Sequence, residues 1–248
     1  MSLPEPAAEW AFFLDIDGTL LEHAERPDAV RPHAAALLLA ALNEASGGAL
    51  ALISGRSVAD IDALFAPLRL AAAGQHGIER RDARGRTHGH AFPAEALRRV
   101  AARVSDFASR HHGLLFEDKG HNLALHYRLA PQLAGVAQAA LREVAAQLGD
   151  NFEVLDGKMV VELKPSGRDK GSAIEEFMHE PPFRGRTPVF VGDDRTDEFG
   201  FGVVNRLGGH SIKVGAGPTA ARLRIADAAA VRAWLGTWVA RFGAGGPG

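Results

Sequence analysis

Short apolar runs alternate with helix-patterned segments along most of this 248-residue chain, and that alternation restricts the fold more than any other feature. The run beginning at Trp10 reads as a buried strand and breaks off at Asp15-Ile16-Asp17-Gly18-Thr19, as a strand meeting a functional loop would. A helix is expected from Pro32 to Ala45, with proline suited to its first position and Gly47-Gly48 to stop it. Ala49 to Ile53 reads as the next strand, and Ser57, with Asp60 three residues on, as the cap of the next helix. Strands and helices in this order argue for a parallel sheet covered on both faces.

Between about Ile78 and Lys164 the pattern changes. A long helix (Pro93 to His112), strands at Leu114 to Asp118 and Leu123 to Arg128, a second helix (Pro131 to Leu148) and strands at Phe152 to Leu155 and Lys158 to Lys164 are expected, with Asp156-Gly157 as a hairpin turn. That is an α+β unit, helices laid on a small antiparallel sheet. From Asp169 the alternation resumes: a helix to about His179, the strand Thr187 to Val191, a helix, the strand Ser211 to Val214, and a last helix carrying Trp234 and Trp238. The fold class is therefore α/β, a Rossmann-like parallel-sheet core of residues 1–78 and 166–248 interrupted by an inserted cap at 79–165. Only the tail Gly243 to Gly248 reads as disordered.

Composition narrows the function classes. The 28 basic and 30 acidic residues nearly cancel, so the formal charge of -2 gives no general attraction to nucleic acid or to an anionic membrane, and any bound anion must be captured locally. The absence of cysteine excludes disulfides, thiolate metal sites and cysteine nucleophiles. No secretory signal and no run long enough to span a bilayer is present, so the cytoplasm is the expected location.

Four pieces carry chemistry. Asp15 and Asp17, two apart at the end of the first strand, can aim both carboxylates to one side, at the sheet edge where open α/β folds bind ligands. Two carboxylates there are costly unless a cation neutralises them or one is protonated. A second strand end, Val189-Phe190-Val191, leads into Gly192-Asp193-Asp194, with Asp197 three residues on. Side by side, the two ends would make the oxygen-rich pocket that Mg²⁺ prefers, although Asp197 equally suits an orienting or helix-capping role. Ser54-Gly55-Arg56 offers a hydroxyl, a glycine for close approach and a helix start, and Lys170 a compact positive charge, all suited to a phosphoryl group.

Together these pieces resemble the haloacid dehalogenase superfamily of phosphohydrolases. Phe13 to Leu20 is similar to its first motif, Ile53 to Arg56 to its second, Lys170-Gly171 to its third, and Gly192-Asp193-Asp194 with Asp197 to its fourth. The resemblance implies that Asp15 is a nucleophile forming an aspartyl phosphate and Asp17 the acid-base group. It also implies that Mg²⁺ is held by Asp15, the Asp17 carbonyl and Asp193 with Asp194 nearby, and that Ser54 and Lys170 grip the phosphoryl group. Thr19, Gly55 and Arg56 would shape that pocket.

Several inserted and flanking segments resemble the trehalose-phosphatase family: Gly74 to Glu79, Glu117 to Gly120, Leu125 to Arg128, and Gly157 to Pro165 running into Arg168-Asp169-Lys170-Gly171. That implies a sugar phosphate, trehalose 6-phosphate, as substrate in the last step of trehalose biosynthesis, with a trehalose-6-phosphate synthase as functional partner. Glu117, Lys119, Asn122, His126, Arg128, Lys158 and Glu162 are then the candidates for contact with sugar hydroxyls, with Asp197 also in the candidate set. His76 is either a sugar contact or a buried histidine bonded to backbone. Hydrolysis of sucrose 6-phosphate or mannosyl-3-phosphoglycerate, a sugar phosphomutase and a silent sugar-phosphate-binding module stand as alternatives.

Overall fold

The computed structural model describes residues 3–22, 32–157 and 159–243; Lys158 and the tail beyond Gly243 lie outside these. In chain order the strands are β1 (Trp10–Leu14), β2 (Leu50–Ile53), β3 (Ala71–Gly74), β4 (Glu79–Arg81), β5 (Thr87–Gly89) and β6 (Leu115–Asp118). Then come β7 (Leu123–His126), β8 (Phe152–Gly157), β9 (Val160–Pro165), β10 (Thr187–Gly192), β11 (His210–Val214) and β12 (Leu223–Ile225). The helices are α1 (His33–Ala45), α2 (Val58–Phe65), α3 (Ala94–Ser109), α4 (Ala134–Leu148), α5 (Lys170–Met178), α6 (Asp197–Arg206) and α7 (Ala228–Phe242).

Residues 1–88 and 169–248 form one compact unit and residues 89–168 a second. The first is built on an eight-stranded sheet in the order β12-β11-β10-β1-β2-β3-β4-β5, parallel from β12 through β3. Central strands of such a sheet are covered on both faces, which is why all five residues of β1 are apolar and buried. Trp10, Phe12 and Leu14 enter one core cluster with Leu39 and Leu42 of α1 and Leu235 and Trp238 of α7. Ala11 and Phe13 enter the other, with Ile174 and Phe177 of α5 and Phe201 and Val204 of α6, following the period-two alternation of a strand.

Local signals set several boundaries. Ser57 accepts the Asp60 N–H at 3.0 Å to start α2, and Gly47 and Gly48, both left-handed, end the turn after α1. α6 approaches β10 so closely that a β-carbon at Gly200 would overlap the Phe190 ring. We therefore expect Gly200→Ala to lower stability by about 1–3 kcal/mol, measured as a fall in the urea midpoint with unchanged slope.

The second unit has a four-stranded antiparallel sheet, β6-β7-β9-β8, backed on one face by α3 and α4. Leu97 and Val104 of α3, Leu141 and Val144 of α4, and Leu123, Leu125, Val161 and Leu163 of the strands make its core.

Three expectations need correction. The units divide after His88 and Arg168, not at 78/79 and 165/166, because Glu79–Arg81 pairs antiparallel with β3 and so extends the first sheet. Its arginines are held by ion pairs from α2 and from α5 and the residues just after it: both Arg81 amino groups donate to Asp62 at 2.6 Å, and Arg80 pairs with Glu176 and Glu180. The β8–β9 ladder runs on through Gly157 paired with Val160, so the hairpin turns two residues later than Asp156-Gly157. β12 was not expected, since Leu223-Arg224-Ile225 is no apolar run. No helix among the described residues is long and apolar enough to cross a membrane.

Candidate active site

β1 and β10 are neighbours with Leu14 opposite Val191, so both acidic loops leave the sheet at the same edge. Asp15, the first residue after β1, is 4% exposed and held at both oxygens: Thr19 Oγ1 donates to Oδ2 at 2.9 Å and Lys170 Nζ to Oδ1 at 2.8 Å. Lys170 opens α5, whose N-terminus is fixed by a reciprocal capping box between Asp169 and Ser172. The same ammonium donates to Asp197 Oδ1 at 2.7 Å, while Asp197 Oδ2 accepts the N–H groups of Asp193 and Asp194 at 2.9 and 2.8 Å. Gly192 makes this possible, since a side chain there would occupy the place of the Asp197 carboxylate.

Asp15, Asp193 and Asp197 each offer an oxygen within 4.8 Å of the others, and the Lys170 ammonium pairs with Asp15 and Asp197. Burial pushes the Asp15 carboxyl well above the usual carboxylate range; Lys170 opposes the shift, while Asp197 and Asp193 add to it. Burial raises Asp197 too, again against Lys170. For Lys170, burial would discharge the amine, but Asp15 and Asp197 outweigh it and hold the ammonium above its ordinary pKa. Three carboxylates offering only oxygen donors fit a hard divalent cation.

Asp17 is not in this group. Arg56 Nε and Nη2 each donate to one of its oxygens at 2.7 Å, a bidentate pair whose hydrogen bond, outweighing burial, raises the Arg56 pKa. Asp194 is outside it as well, its Oδ1 accepting the Arg195 N–H at 2.7 Å. Ser54 is buried, and its Oγ accepts the Arg56 N–H at 3.1 Å, closing the Ser54-Gly55-Arg56 loop after β2. Thr19 and Asp197 are fully buried and hold Asp15 and Lys170.

In the second unit, Glu117, Ala124 and Glu162 form one row across β6, β7 and β9. Lys119 Nζ donates to Glu162 at 2.5 Å and lies 3.9 Å from Glu117, which also pairs with His126 at 2.8 Å; the His126 hydrogen bond, outweighing burial, lowers the Glu117 pKa. Arg128 is exposed in the turn after β7, and Lys158 lies outside the described residues. Asn122 is fully buried, and its carbonyl accepts the Lys119 N–H at 3.0 Å to close the β6–β7 turn.

Sequence reasoning missed Lys213. It sits opposite Gly192 in the β10–β11 pairing, buried, donating to the carbonyls of Asp193 and Val214. A lone lysine inside the buried strand His-Ser-Ile-Lys-Val was the available signal, because a charge there needs a partner.

A parallel α/β sheet with an inserted unit, and a carboxylate–lysine site where β1 and β10 end, define a phosphohydrolase of the haloacid dehalogenase fold. The C-terminal domain of C. albicans trehalose-6-phosphate phosphatase shares this fold, with a TM-score of 0.83 at 22% identity over 94% of this chain and 93% of that one. The sequence profile of the trehalose-phosphatase family matches residues 13–229, and the chain belongs to that family of phosphoric monoester hydrolases. It is 48% identical over 233 residues to the trehalose-6-phosphate phosphatase of Escherichia coli, covering 94% of this chain and 87% of that protein. A bifunctional trehalose-6-phosphate synthase/phosphatase of Thermoproteus tenax is 33% identical over 232 residues, covering 90% of this chain and 31% of that protein.

Proposed function

We propose that this chain hydrolyses trehalose 6-phosphate to trehalose and phosphate, the last step of trehalose biosynthesis, through an aspartyl phosphate on Asp15 and with Mg²⁺ as its metal. The observation that carries this is the Asp15 carboxylate, placed at the sheet edge with one oxygen on Thr19 and the other on Lys170. A carboxylate fixed at both oxygens needs little reorganisation to attack phosphorus, and the resulting acyl phosphate divides one difficult displacement into two.

Lys170 sits where nucleophile and phosphoryl oxygens would repel each other, and Asp197 keeps it there. Asp17 gives a proton to the departing sugar oxygen and then takes one from the attacking water. Ser54 and Arg56 line the phosphate side of the loop. Asp15 and Asp193, with the Asp17 carbonyl and with Asp194 nearby, would hold the cation, which supplies charge neutralisation between carboxylate and phosphate. We assign recognition of sugar hydroxyls to Glu117, Lys119, His126 and Glu162, whose paired donors and acceptors suit a polyol. The joined synthase and phosphatase of the Thermoproteus tenax relative supports a functional pairing with a synthase.

The test is phosphate release from trehalose 6-phosphate, sucrose 6-phosphate, glucose 6-phosphate and mannosyl-3-phosphoglycerate, each with Mg²⁺ and with a chelator. Mg²⁺-dependent release from trehalose 6-phosphate above all the others is expected. Preference for another ester would discard the substrate and keep the chemistry, and release untouched by chelation would discard the metal.

A further inference from the structure

Gln75, His76 and Gly77 are three consecutive buried residues with left-handed backbone, φ 47, 58 and 94°. Side chains bearing a β-carbon enter that region only at a cost in free energy, so two in a row persist only where the surroundings enforce them. What surrounds them is the rest of the site. The Gln75 N–H donates to the Arg56 carbonyl at 2.8 Å and the His76 N–H to the Ser54 carbonyl at 3.0 Å, so both ends of the Ser54–Arg56 loop hang on this turn. The His76 ring fills the space over the middle of that loop: a β-carbon on Gly55 would lie 2.9 Å from its Cε1 and 3.0 Å from its Nε2.

The turn's other side meets the helix that carries Lys170. A β-carbon on Gly77 would lie 2.6 Å from the carbonyl of Asp169, the capping residue of α5. Two residues further, Glu79 Oε1 accepts the N–H of Val58, the first residue of α2, at 2.6 Å. Within five residues the chain thus touches the phosphate loop, the helix after it and the cap of the lysine helix.

We propose that the Gln75–Gly77 turn is a brace that sets the Ser54–Arg56 loop against the start of α5, and that His76 is a positioning residue for the phosphate site. This rests on the phosphatase reading above and goes beyond it, because it gives His76 no contact with the sugar. A ring that is 7% exposed and packed on Gly55 acts on catalysis through the loop.

The experiment compares His76→Asn with the wild type on trehalose 6-phosphate and on p-nitrophenyl phosphate, with vanadate as a phosphate mimic. Asparagine tolerates the left-handed backbone but leaves the ring's place unfilled. Because small misplacements of phosphate-holding groups are costly, kcat/KM should fall roughly 10- to 100-fold by the same factor on both substrates, and vanadate inhibition should weaken in step. A loss confined to trehalose 6-phosphate would make His76 a sugar contact and overturn the brace. So would a lower Tm with unchanged kinetics, which would leave the ring as core filling alone.

Gly55→Ala should give the same joint loss, since its methyl competes with the ring, and adding His76→Gly should restore part of it. No restoration counts against the brace. If the wild type cleaves p-nitrophenyl phosphate but not trehalose 6-phosphate, the substrate assignment fails while the brace is still judged on the aryl ester and vanadate.

Discussion

Asp15→Asn should abolish turnover and leave the chain folded. The amide keeps the side chain's shape and can still meet Thr19 and Lys170, but it cannot form an acyl phosphate, so we expect kcat to fall by roughly 10⁶-fold, the scale of losing a nucleophile. Folding should not suffer. Asp15, Asp193 and Asp197 lie close together and Lys170 pairs with Asp15 and Asp197, so removing one carboxylate from this group relieves repulsion while Asp197 keeps its pairing at 2.7 Å. The variant's Tm should therefore equal or exceed that of the metal-free wild type, and acid-quenched enzyme should carry no phosphate. Turnover within 10-fold of wild type would rule out the covalent route. Loss of both activity and cooperative melting would instead show that Asp15 is needed for the fold.

The strands that carry this chemistry were legible for a physical reason. β1 and β10 are covered on both faces, which demands unbroken apolar sequence, and an acidic residue at the end of such a run stands out. The acids, the Ser54–Arg56 loop and Lys170 each lie in a short local pattern, so their residue types could be read one segment at a time. β4 and β12 gave no such signal. Their charged residues are satisfied by partners distant in sequence or by loop carbonyls, Arg81 by Asp62 and Arg224 by the carbonyls of Gly215 and Gly217.

Pairings inside the site were hidden for the same reason. Nothing local to Asp17 announces Arg56, 39 residues away, and nothing local to Gly55 announces the ring of His76. Lys213 reaches the Asp193 carbonyl only because β10 and β11 are adjacent. The hairpin at Asp156-Gly157 failed differently: a good turn signal lost to a ladder that pairs every residue from Phe152 to Gly157.

Asp17→Asn should separate the two halves of the reaction. Asparagine can keep one hydrogen bond from Arg56 and leaves the backbone carbonyl in place, but it cannot pass a proton to a sugar oxygen or take one from water. With trehalose 6-phosphate, whose alkoxide is a poor leaving group, we expect kcat to fall by about 10²–10⁴-fold, the usual worth of general acid-base catalysis. From p-nitrophenyl phosphate the p-nitrophenolate ion leaves without needing a proton, and Asp15 remains to attack the phosphorus. The first step should survive while the second, which needs a base for water, stalls. Rapid mixing should then show a burst of p-nitrophenol close to one equivalent per active site, followed by slow turnover, with phosphate trapped on the protein. Arg56, freed from a carboxylate that now holds both its nitrogens at 2.7 Å, should bind phosphate more tightly, so KM should fall together with kcat. Equal losses on the sugar and aryl esters with no burst would remove Asp17 from proton transfer and leave it only the partner of Arg56.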